Sequence, residues 1–147
     1  MEEKSIKKIN EELAEALNKA ENIQKFLEED YIKSNKQPLY EFADIVPEDT
    51  NLVCVIWVDG PRKMPHSKRV KFQNNTSTSL NGGELIPITI SDNPQIPNKI
   101  KSKLNIKEKE LTRIKQWIIL NKQILLDYAD GKITTKKLYE LIQPLND

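Results

Sequence analysis

Apolar residues near the amino terminus recur at Ile6, Ile9, Leu13, Ala16, Ala20, Ile23 and Leu27. Their alternating steps of three and four keep one seam on a single side of a helix. The spacing predicts a helix over residues 5–30, with Ser5 capping its first turn and no Gly or Pro before Pro38. Leu17 and Phe26 widen the seam. A lone helix of this kind is marginal in water without packing, so some surface must cover it. That surface is the rest of the chain, a second copy in a coiled coil, or a different protein. Ile6, Ile9, Leu13, Leu17, Ile23 and Leu27 are therefore the candidate partner or dimer residues.

Beyond a break at residues 34–38 and a short amphipathic piece at residues 39–45, the pattern changes period. Residues 52–58, Leu-Val-Cys-Val-Ile-Trp-Val, form a β-branched and aromatic run expected to be a buried strand. Shorter alternating runs at residues 70–72, 85–90 and 99–104 predict further strands, the second at a sheet edge because of Pro87. Residues 74–83 are rich in Asn, Ser, Thr and Gly and read as a loop turning at Gly82-Gly83. Helical spacing resumes at Leu111, Ile114, Ile118, Leu125 and Tyr128. Asn105 and Glu108 give a capping-box pattern before it, and Gly131 stands where a left-handed cap belongs. Thr134 is placed to cap a last helix through Leu138, Leu141 and Ile142 that Pro144 stops. Strands grouped and then helices grouped predict an α+β fold: a small antiparallel sheet of three to four short strands, two carboxy-terminal helices packed on one face, and a long amphipathic helix in front. A boundary is expected near residue 50, between a helical arm and an α+β domain.

Charge sharpens that division. The chain has 147 residues and a net charge of +1. Residues 1–50 hold 7 Lys/Arg against 13 Asp/Glu, whereas residues 51–147 hold 16 against 9. An acidic arm and a basic domain either dock on each other or each meet a partner of opposite sign. The charged amino terminus lacks a signal-peptide pattern and the longest apolar runs are far short of a membrane span, so the expectation is a cytoplasmic protein with no membrane partner.

Arg62, Lys63, His66, Lys68, Arg69 and Lys71 form the densest polar cluster. Several cations on a Pro-constrained segment suit phosphates, which makes this the candidate nucleic-acid or anion surface. A single histidine and a single cysteine, Cys54, cannot supply a conventional zinc site, and no phosphate-cradling or nucleophile-elbow motif is present. No metal, cofactor or catalytic residue is therefore assigned. An enzyme acting on a phosphate-bearing substrate through His66 and Arg69 is the opposing alternative, and a structural dimer formed by the amino-terminal helix is a third.

Pro65-His66 with the basic residues after it, Val70-Lys71-Phe72-Gln73-Asn74-Asn75, and Ile88-Thr89-Ile90-Ser91-Asp92-Asn93-Pro94-Gln95-Ile96 resemble segments of small bacterial and phage proteins of unknown function. So does the ending, in which Trp117 and Asn121 sit four residues apart before Leu125, Tyr128 and Gly131. The resemblance covers about residues 53–145 and leaves the arm unmatched. Some of these proteins are similar to members of toxin–antitoxin-like pairs or to products of mobile elements. What the resemblance implies is a bacterial or phage accessory system. With no catalytic motif in the chain, the expected function is a non-enzymatic binding protein of such a system, acting on a protein partner or nucleic acid through the basic segment and the amino-terminal helix.

Overall fold

The computed structural model describes residues 2–34, 42–59, 68–74 and 84–146. They form an α+β fold. Helix α1 (Glu2–Ser34) precedes β1 (Phe42–Ile45), a one-turn helix α2 (Pro47–Thr50), β2 (Ile56–Asp59), β3 (Arg69–Gln73) and β4 (Leu85–Thr89). A 3-10 helix (Asn98–Lys103) leads into α3 (Glu108–Leu120), α4 (Lys122–Ala129) and α5 (Thr135–Leu141). The four strands make an antiparallel meander in the order β1-β2-β3-β4.

Period-two alternation divides this sheet into two different faces. Ala43 lies opposite Val58, Ile56 opposite Phe72, and Val70 opposite Ile88. These residues form the apolar face, which packs with Ile114, Trp117, Ile118, Leu125 and Leu138 of the closing helices in one buried cluster. The other face carries Trp57, Arg69, Lys71, Gln73, Pro87 and Thr89 by the same register. It is covered as well, by the last third of α1, which lies across β4. Every residue of β3 and β4 is consequently buried. The sheet is the middle layer of three.

Local signals account for most boundaries. Pro87 sits on the edge strand β4, where a missing amide is tolerated. Thr134 caps α5 by accepting from the Lys137 amide at 3.2 Å. Gly131 has φ of 76°, and the Lys132 amide reaches back to the Asp127 carbonyl at 2.8 Å, closing α4 in a Schellman arrangement.

Other expectations are corrected. Helix α1 starts at Glu2, so Ser5 is an interior residue. Residues 99–104 form no strand: Ile100 and Leu104 are four apart, a spacing that suits a helical turn as well as a strand, and a 3-10 helix forms instead. The Asn105–Glu108 capping box is not made, because Lys107 is the cap residue of α3 and the Asn105 amide is given to Asn74 Oδ1 at 2.7 Å. Strand β2 starts only at Ile56, since Asn51 takes a left-handed turn (φ 62°) and the Leu52 amide bonds back to Thr50 Oγ1. The helical stretch after residue 107 is interrupted at Asn121, giving α3 and α4. The line drawn near residue 50 runs between β1 and β2, which pair along their length. The Gly82-Gly83 turn lies outside the described residues.

Candidate functional site

The basic segment begins from alternation on β3. Val70 and Phe72 point into the main core, so Arg69 and Lys71 point to the face that α1 covers. There they meet Asp30. Arg69 donates to both carboxylate oxygens of Asp30, from Nε to Oδ2 and from Nη2 to Oδ1 at 3.0 Å, and Lys71 Nζ lies 3.9 Å from Oδ1. All three residues are less than a tenth exposed. A two-point guanidinium–carboxylate contact fixes direction as well as distance, so Asp30 sets both where α1 crosses the sheet and which way it faces.

Two further contacts hold the same stretch of helix. Gln24 donates from Nε2 to the Ile96 carbonyl at 3.0 Å and accepts from the Asn98 amide at 2.8 Å. Glu28 is 3.5 Å from Lys99. Phe26 and Leu27 are buried beside these polar contacts. Of the remaining cluster members, Lys68 pairs with Asp130 at 3.4 Å, and Arg62, Lys63 and His66 lie outside the described residues. In the described half of the cluster, each of the three cations faces a carboxylate of its own chain.

The seam of α1 divides at about Asn22. Leu27 is fully buried and Ile23 half-buried, whereas Ile6, Ile9, Leu13 and Leu17 are 54–65% exposed. Every residue from 5 to 22 is exposed. At about 1.5 Å per residue this is a projecting rod roughly 27 Å long, apolar along one side and fixed at its base. Where the rod meets the domain there is a polar cleft of about 320 Å³, lined among others by Gln24, Asn93, Gln95, Asn98, Lys101 and Lys115. Among the described residues no group of three or more His, Cys, Asp or Glu is placed to hold a metal ion. Cys54 is buried, and burial pushes its thiol up to about 12, with the charge of Glu110 adding to the rise and a backbone hydrogen bond from Gln73 opposing it. A thiol held protonated is a packing group and a poor nucleophile.

Sequence reasoning overlooked Asp30, although a signal was present. It occupies the next position of the seam, three after Leu27, so an acid follows the apolar series on the same side of the helix. Gln24 and Asn121 carried no comparable signal. Asn121 is buried at the joint of α3 and α4, donating from Nδ2 to the carbonyls of Trp117 and Gln143, both at 3.0 Å, and accepting from the Gln143 amide at 2.9 Å. The four-residue spacing of Trp117 and Asn121 is thus a direct contact at the α3–α4 joint, and the two bonds to Gln143 anchor the carboxy-terminal tail. Among the described residues no helix is long and apolar enough to cross a membrane. No family model, curated protein or solved structure matches the chain.

Proposed function

We propose that the protein is a non-enzymatic binding module whose docking element is the projecting part of α1. One observation carries this reading. Four large apolar residues, Ile6, Ile9, Leu13 and Leu17, stand more than half exposed on one side of a helix whose other end is clamped by Gln24, Leu27 and Asp30. An exposed apolar series of this kind marks a surface for protein contact, and a helix presenting anchors at three- and four-residue steps is suited to another helix or a groove. The clamp holds the seam at a fixed angle to the domain, so little orientational freedom is lost on docking. Asp30 and Asp130 engage the described cations of the basic segment, which turns the weight of the reading from nucleic acid to a protein partner. In an accessory system of the kind the resemblance implies, such a module acts by holding that partner.

Lysine-directed crosslinking in native cells tests this, because Lys7, Lys8 and Lys19 are exposed along the rod. Crosslinks from these lysines to another polypeptide, whether a copy of this chain or a different one, are expected, and Leu13→Asp with Leu17→Asp should abolish them. Crosslinks confined to the same molecule, or unaffected by the double substitution, would overturn the reading.

A further inference from the structure

We infer that the occupant of the α1 seam is a second copy of the same helix, lying antiparallel with its midpoint between Ala14 and Glu15; this rests on the docking role proposed for α1. The inference comes from size and charge along the seam. A parallel pair would stack Ala16 on Ala16 and Ala20 on Ala20, two thin layers beside the thick Leu13 layer. It would also extend the seam through Leu27, which the chain's own sheet already buries. The antiparallel pair removes both problems. Its core layers join positions whose numbers sum to 29: Leu13 with Ala16, Ile9 with Ala20 and Ile6 with Ile23. Each alanine then faces a large aliphatic side chain, and interdigitation of large with small is what fills a helix interface without voids.

The charges select the same register independently. In the heptad that places Ile6, Leu13 and Ala20 at one core position, Glu12 and Lys19 occupy the same flanking position in successive heptads. Like flanking positions meet across antiparallel helices, so Glu12 of one copy faces Lys19 of the other, twice per dimer by symmetry. In a parallel pair Glu12 faces Leu17 and Lys19 faces Gln24, and neither gains a partner. Both residues are exposed in the monomer. The overlap uses residues 6–23, nearly the same stretch the domain leaves uncovered, and puts the two domains at opposite ends of the helix pair.

Sedimentation of the purified full chain over a wide concentration range, with charge-swapped variants, tests the arrangement. Wild type is expected to associate reversibly to a dimer. Glu12→Lys and Lys19→Glu should each weaken it by about tenfold, since two attractive contacts become repulsive, and the two swaps combined should restore it. Leu13→Asp serves as the monomeric control, with circular dichroism showing that the domain remains folded. A wild type that stays monomeric at the highest concentration overturns the inference, as do single swaps without effect or a double swap that fails to restore association. If the rod crosslinks to a different polypeptide in cells while the purified chain remains monomeric, the docking role stands and the second copy is excluded.

Discussion

Asp30 on α1 and Arg69 on β3 are 39 residues apart and bonded through both carboxylate oxygens, with less than a tenth of either residue exposed. This contact joins the acidic first third of the chain to the basic remainder. It converts what reads as the solvent side of β3 into an interior layer. A buried carboxylate is tolerated where cations and hydrogen bonds compensate its lost hydration, and Arg69 and Lys71 provide that here.

Removing the carboxylate leaves those cations buried without it. Asp30→Ala is expected to cost about 3–5 kcal/mol, measured by urea unfolding at neutral pH. Because the partners share one contact, Asp30→Ala and Arg69→Ala should be strongly non-additive in a double-mutant cycle. A loss below about 1 kcal/mol would mean the pair behaves as a surface ion pair.

The closing helices offer a contrast within one segment. Leu125 is fully buried in the main core, while Leu120 is 48% exposed. Leu125→Ala should cost about 2–5 kcal/mol through lost burial and the cavity left behind, and Leu120→Ala less than about 0.5 kcal/mol. Denaturant midpoints for the two variants check the orientation of α3 and α4 together. Equal effects would mean that the face of the segment is misplaced.

Periodicity made much of this fold legible. The three-and-four seam predicted α1, the β-branched runs located β2, β3 and β4, and the Gly131 and Thr134 signals placed the end of α4 and the start of α5. Its limits were tertiary. Arg69, Lys71 and Gln73 alternate with Val70 and Phe72 as an exposed face would, and only the arrival of α1, with Asp30 meeting Arg69 and Lys71, makes that face interior. Residues 99–104 carried apolar positions compatible with two periods, and they fold as a 3-10 helix in which the Ile100 amide bonds the Pro97 carbonyl at 3.1 Å. The rod of α1 was legible as a seam, but not the point at which its own domain stops covering it, since that depends on where Gln24 meets Ile96 and Asn98.

Asn121 links the α3–α4 joint to the tail through two hydrogen bonds to Gln143, with a third to the Trp117 carbonyl of α3. Asn121→Ala removes all of them and leaves the Gln143 amide without its acceptor, at a cost of about 1–3 kcal/mol. Hydrogen exchange should show the Gln143 amide losing protection first. The neighbouring Leu145 amide, bonded to the Thr50 carbonyl at 2.8 Å, should follow as the tail loosens. Unchanged protection at both positions would show that the tail is held without Asn121.

Alkaline pH gives the last prediction, with its sign fixed by proton linkage. Burial pushes the Cys54 thiol up to about 12 from an ordinary value of 9.0. Tyr31 is likewise pushed up to about 12 from 10.0, by burial first and then by the hydrogen bond and charge of Glu84. Between these ordinary and raised values the unfolded chain has released protons that the folded chain retains. The unfolded state then binds fewer protons, so stability falls as pH rises. Both contributions are fully present below about pH 9 and are lost progressively up to about 12. Urea midpoints measured across that window should decline for the wild type. Cys54→Ala should start lower at neutral pH, because a small buried group is lost, yet decline less steeply, since only the tyrosine part of this linkage remains. Two curves that run parallel through the window would mean that the folded protein does not hold the Cys54 thiol protonated.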